Sequence, residues 1–160
     1  MPRVVLVLPL VSLRVGESFA VAEWPLHITV VAPFLTDADP AELAAAVAAV
    51  APSHPPLRLV AEHDELFGRL HTVPVTVMGA SAQLATLRGE LIDALLPFAT
   101  RPDEPAFTGE HFRPHITWKN GSRVHEGDEF TLTQLALVDM APRAAVSGRT
   151  VLVTSELSGG

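Results

Sequence analysis

The chain reads as an α+β fold built mostly of antiparallel strands, and three observations predict it. Only two stretches carry apolar residues at helical spacing, Leu43-Val47-Val50 and Leu84-Leu87-Leu91-Leu95. Elsewhere the apolar residues come in short runs or in strict alternation, the patterns of buried and half-buried strands. Proline and glycine clusters separate these segments, and strands interleaved with two helices favour antiparallel pairing over a repeated strand-helix-strand crossover.

Val4 to Val11 is a continuous run of valine and leucine interrupted only by Pro9, expected as a central strand buried on both faces. Ser12 to Ala22, with Gly16 and no apolar period, is expected as loop. Trp24-Pro25 leads into a strand through Leu26-His27-Ile28-Thr29-Val30, which Pro33 ends by removing a ladder donor. Asp39-Pro40-Ala41-Glu42 then starts a helix: Asp39 as N-cap, Pro40 at the first position, Glu42 completing a capping box.

Pro52-Ser53-His54-Pro55-Pro56 breaks the chain, and Leu57, Leu59 and Ala61 alternate with Arg58, Val60 and Glu62 as a strand. After a turn at Gly68, Leu70 to Met78 is the next strand, placed at a sheet edge by Pro74. Ser81 caps the second helix, which ends near Pro97. Thr100 to His111 is a punctuated loop and a candidate lid beside the segment that follows it. Asn120-Gly121 marks a turn, Phe130 to Met140 and Thr150 to Thr154 close the sheet, and Ser158 to Gly160 is expected to fray. No linker divides the chain, so residues 1–157 are read as one domain.

Two tetrapeptides carry the chemistry, His27-Ile28-Thr29-Val30 and His115-Ile116-Thr117-Trp118. On a strand successive side chains alternate, so each His and its Thr share one face while the two apolar residues share the other. Two such strands at one cleft supply two imidazoles that titrate near neutrality and two hydroxyl donors. Attack on a phosphodiester needs such a set: a base for the nucleophile, an acid for the leaving oxygen, and donors to the non-bridging oxygens. Two unrelated strand histidines are the plain alternative.

These motifs, with Pro33-Phe34 after the first and Phe112-x-Pro114 before the second, resemble those of the two-histidine phosphoesterases, the family of 2′-5′ RNA ligase-like proteins and RNA 2′,3′-cyclic phosphodiesterases. The likeness runs from Val4 to about Val153. It implies a bilobal fold with two main helices flanking a central cleft, chemistry that uses no metal or other cofactor, and His27, Thr29, His115 and Thr117 as the catalytic residues. The activity it implies is hydrolysis of a 2′,3′-cyclic phosphate on an RNA end or nucleotide. The alternatives are 2′-5′ RNA ligation, or a nucleotide-binding module without turnover. Members of the tRNA-splicing type often carry a helix where this chain has Ser12 to Ala22, and a basic residue where it has Asn120.

Around the motifs, Lys119, the only lysine, and Arg113 share strand parity with His115 and Thr117. Each is a candidate phosphate contact or a solvated strand-end cation. Phe112 and Trp24 are candidates to stack a base or to sit in the core; Trp118, of opposite parity, is expected in the core. His111 and His115 lie four apart, but Pro114 between them rules out the helical spacing of a zinc pair, and Glu110 as a third ligand is unsupported. His54, His63, His71 and His125 read as solvent-exposed.

A net charge of −7 argues against an extended nucleic-acid surface and for a small nucleotide or RNA end held by local charge. No cysteine is present, which suits a reducing cytoplasm and excludes disulfides and thiolate metal sites. The N-terminal apolar run followed by Ala20-Val21-Ala22 imitates a signal peptide, but Pro9, Arg14 and Glu17 fit one poorly. The run is also shorter than the roughly 20 residues a membrane span needs. A cytoplasmic monomer is the expectation.

Overall fold

The computed structural model describes residues 3–108, 112–119, 121–140 and 148–159. Its strands are β1 (Arg3–Pro9), β2 (Ser18–Phe19), β3 (His27–Leu35), β4 (Leu57–Phe67), β5 (Val73–Met78), β6 (His115–Thr117), β7 (Glu129–Leu132), β8 (Gln134–Asp139) and β9 (Arg149–Glu156). They form one sheet in the order β2-β9-β8-β1-β3-β6-β5-β4-β7. Every pairing is antiparallel. The helices are α1 (Pro40–Ala48), α2 (Ala82–Leu95) and the single turn α3 (Pro105–Thr108). This is the α+β architecture that the pattern predicts.

Burial follows the periodicities. Val4, Leu6 and Leu8 of β1 join Leu43 and Val47 of α1 and Leu84, Leu87, Leu91 and Leu95 of α2 in the main core. Val5 and Val7 enter a second cluster with Leu13, Trp24 and Val138, so β1 is buried on both faces. Each fully buried leucine stabilises the fold by about 1.5–3 kcal/mol. Both helix starts form as expected: Asp39 and Glu42 make the capping box, and the Ser81 hydroxyl accepts the Leu84 amide at 3.1 Å.

Several expectations are corrected. β4 runs on to Phe67 through the polar stretch Glu62 to Glu65, because β5 pairs with it and ion pairs from Arg113 and Arg123 hold Glu65 and Asp64. β5 is an interior strand starting at Val73, with Leu70 left exposed; Pro74 does not put it at an edge. The Pro74 carbonyl accepts the Trp118 amide at 3.1 Å, so its missing donor falls where the short β6 has already ended. The run from Phe130 to Met140 is two strands, β7 on β4 and β8 between β1 and β9, with Thr133 between them. The expected loop after β1 contains β2 and a 3₁₀ turn at Val21–Glu23.

Three residues of the segment 101–108, Glu104, Ala106 and Phe107, hold it on β3. Ala106 is buried, Phe107 meets Phe34 edge-on at 5.1 Å, and Glu104 accepts the Leu35 amide at 3.0 Å. The rest of the candidate lid, residues 109–111, lies outside the described residues. At the chain end the Gly159 amide donates to the His54 carbonyl at 2.9 Å, in the tail expected to fray. A side chain at Gly159 would come within 2.7 Å of the Ser53 backbone.

Candidate active site

The two motif strands are neighbours. β3 and β6 meet in antiparallel register with Ile28 opposite Ile116. That register sets His27 opposite Thr117 and Thr29 opposite His115, all four on the pleat face away from the buried isoleucines. The diagonal across such a square is about 7 Å between β-carbons, room for a phosphate between two imidazoles.

Each histidine opens its strand and is fixed by the same local bond. Nδ1–H of His27 donates to the Pro25 carbonyl at 2.8 Å, and Nδ1–H of His115 to the Arg113 carbonyl at 2.8 Å. With Nδ1 occupied two residues back, Nε2 is the atom each ring has for a ligand. The hydroxyls of Thr29 and Thr117 have no protein partner among the described residues. The square thus offers two imidazole nitrogens and two hydroxyls, all without a partner among the described residues.

The surroundings of the two histidines differ. The Trp24 indole stacks on His27 with ring centroids 3.9 Å apart. Burial pushes the His27 pKa down to about 4, against the Pro25 bond, which raises it; the nearby charges of Lys119, His115 and Arg149 lower it further. His27 is therefore neutral at pH 7, a ready proton acceptor. His115 instead leans on Phe67, centroids 4.6 Å apart, at the edge of a cavity of about 440 Å³. Thr29, Arg88, Phe112 and Arg113 line the same cavity.

The other sequence-selected residues divide between the two sides. Phe112 is on the cavity wall, its ring capped by the Arg88 guanidinium at 4.6 Å. Arg113 is also on the wall but is engaged, forking both guanidinium nitrogens onto Glu65 and lying 5.0 Å from the Phe67 ring centroid. This pairing, with His63 second, holds the Glu65 carboxyl down to about 2. Trp24 is 6% exposed, so it backs His27 and presents no surface to a base. Lys119 is half-buried, its ammonium 5.4 Å from the Trp24 ring centroid, and burial lowers its pKa. Trp118, the expected core residue, donates its indole N–H to Thr76 and carries the Arg123 guanidinium over its ring at 3.8 Å.

Arg88 and Arg149 are cations beside the site that the sequence reading passes over. Arg88 follows the α2 stripe at i+4 from Leu84, a signal available in the sequence; Arg149, 7% exposed at the start of β9, has no such signal. His54 is also corrected: it is buried, with Nε2 at 3.0 Å from Glu90. His71 takes a positive φ of 51° and lines the cavity. Glu110, His111 and Asn120 lie outside the described residues. Among the described residues no three His, Asp or Glu side chains are grouped to hold a metal ion, and no helix is long and apolar enough to cross a membrane.

Fold and motif pair together define a two-histidine phosphoesterase architecture. The chain belongs to the 2′-5′ RNA ligase superfamily, whose family model matches residues 7–154. Among solved structures it is similar to TT0787 of Thermus thermophilus, at 18% identity and a TM-score of 0.68, covering 98% of each chain. It is also similar to E. coli LigT complexed with NADP+, at 16% identity, a TM-score of 0.62 and 99% of each chain covered. For LigT complexed with 3′-AMP the values are 17%, 0.58 and 99% of each chain. No curated protein sequence matches the chain.

Proposed function

We propose that this protein hydrolyses 2′,3′-cyclic phosphates of RNA ends or nucleotides. The observation that carries the reading is the cross-strand square, each imidazole facing the other motif's threonine. Neutral His27 takes a proton from water through Nε2 as the water oxygen bonds to phosphorus. His115, protonated at Nε2, donates to the ribose oxygen that leaves, and the product is a phosphomonoester with a free hydroxyl. Thr29 and Thr117 donate to the non-bridging oxygens, where negative charge grows in the transition state. The cycle closes when His27 gives up its proton to solvent and His115 takes one back.

The cavity beside His115 and Thr29 takes the nucleoside, with Phe112 and Phe67 as aromatic walls and Arg88 as a cation that pairs with no carboxylate among the described residues. LigT, with the same fold, is known in complexes with NADP+, 3′-AMP and ATP, and nucleotide binding by this chain is in keeping with that. The reading needs no metal, cofactor, membrane or second subunit, and it puts the protein in the cytoplasm. The test is turnover of the four nucleoside 2′,3′-cyclic phosphates by wild type, His27→Ala and His115→Ala in the presence of chelator. Turnover lost in both variants supports the reading. No turnover by wild type, activity kept by either variant, or activity removed by chelator overturns it.

A further inference from the structure

Behind His27, on the side away from the cavity, two cations share one indole. The Lys119 ammonium is 5.4 Å and the Arg149 guanidinium 5.5 Å from the centroid of the Trp24 ring. They are close enough that Arg149 depresses the Lys119 pKa, and burial lowers both. No carboxylate forms an ion pair with either among the described residues. Arg149 spends one terminal nitrogen on the carbonyls of Met140 and Gly148, at 2.6 and 3.1 Å, which satisfies donors without neutralising charge.

Two donors in the cluster remain unused. Nε–H of Arg149 and Nε1–H of Trp24 are buried without an acceptor among the described residues, on side chains of residues 7% and 6% exposed. Buried cations are ordinarily paired, and buried N–H groups ordinarily bonded. The backbone of Lys119 is held in place by reciprocal bonds with Ser122, amide to carbonyl at 2.9 and 2.8 Å. An electropositive cluster with unpartnered buried donors beside His27 is an environment that an anion would complete.

We infer that Lys119, Arg149 and Trp24 form a second anion subsite, which takes a phosphate monoester carried by the substrate in addition to the phosphodiester under attack. The class of ligand rests on the proposed function; the anion site itself does not. With the nucleoside in the cavity on the His115 side, the subsite selects nucleotides bearing a second phosphate, such as a 5′-phosphate, that reaches past His27. Occupancy also neutralises the two cations nearest the base.

The indole N–H groups give a direct reading. The chain has two tryptophans, and Trp118 donates to Thr76 at 2.8 Å, so its resonance is an internal control. Inorganic phosphate is titrated into a His115→Ala/Thr117→Val protein, which cripples the central square, and the two indole resonances are followed by NMR. The Trp24 resonance is expected to move saturably while that of Trp118 stays. Adding Lys119→Met should weaken the titration about tenfold, the worth of one charge-assisted hydrogen bond. Lys119 is the residue to change because its side chain makes no hydrogen bond among the described residues, whereas loss of Arg149 would free two carbonyls. A Trp24 resonance that does not respond, or a response that Lys119→Met leaves unchanged, overturns the subsite.

A second arm compares kcat/KM for a nucleoside 2′,3′-cyclic phosphate with and without a 5′-phosphate. Wild type is expected to prefer the doubly phosphorylated substrate about tenfold, and Lys119→Met to lose that preference. Turnover without preference overturns the substrate assignment. Absence of any turnover counts against the proposed function alone, since the phosphate titration judges the anion site independently.

Discussion

Trp24 covers one face of the His27 imidazole, with ring centroids 3.9 Å apart and planes 27° from parallel. The stack takes the place of water on that face and contributes to the burial that keeps the ring neutral. Trp24→Ala is expected to raise the His27 pKa toward the ordinary histidine value as water enters. The NMR titration of His27 Cε1–H in the variant reads that shift directly. The variant should also lose about 3–5 kcal/mol of stability, the usual cost of truncating a large buried aromatic, measured by urea unfolding.

The low His27 pKa sets a pH window for stability. Its folded value of about 4 lies below the unfolded value of 6.5, so the unfolded chain binds the proton more tightly between those limits. The contribution is fully present above pH 6.5 and is lost as pH falls toward 4. Between pH 7.5 and 5 wild type should lose about 2 kcal/mol more than His27→Gln does, at 1.36 kcal/mol per unit. Unfolding curves at the two pH values check the difference; equal losses would mean that His27 is not desolvated.

In the proposed mechanism the same pKa shapes the pH profile. With His27 as the base, the acidic limb of kcat/KM should fall near pH 4, so that no acid-side loss appears at pH 5 and above. A limb near 6.5 would assign the base elsewhere.

Replacing either histidine by alanine should lower kcat about 10²–10⁴-fold, and Thr29→Val or Thr117→Val about 10²–10³-fold. Because the proposed mechanism has the four groups act on one phosphorus, the two histidine losses should not add, and the double variant should be little worse than the poorer single one. Steady-state rates on one cyclic phosphate decide this.

Away from the site, Thr76 is fully buried between β4 and β6, accepting the Trp118 indole N–H at 2.8 Å and donating to Asp64 at 3.0 Å. Asp64 in turn takes the Arg123 guanidinium, which lies on Trp118. Thr76→Val keeps the shape and strands the indole donor, so a loss of about 1–3 kcal/mol is expected from thermal unfolding.

How much of this was legible in the sequence follows from range. The His-x-Thr motifs, the Asp39 capping box and the leucine stripe of α2 are local patterns with a fixed period, and each appears where the period puts it. The pairing of Ile28 with Ile116 is not local. No property of either tetrapeptide specifies its partner, so the square itself was visible only as two halves. Arg149 was missed for a related reason: an arginine at the head of a strand looks solvent-exposed until β8, Trp24 and Lys119 close around it. Pro74 misled because a missing donor argues for an edge only where a neighbouring strand continues past it, and β6 does not.

The register of β3 on β6 has one more consequence. Turned through half a revolution about an axis between Ile28 and Ile116, each motif falls on the other, so a bare phosphate meets the same four groups either way round. The flanks have no such symmetry: an open, aromatic hollow lies beyond His115 and a crowded positive corner beyond His27. A ligand with two different ends can therefore lie only one way across the strands. In the proposed mechanism, the ligand's far ends then set which ribose oxygen faces His115 and leaves, while the burial of His27 sets which histidine is the base.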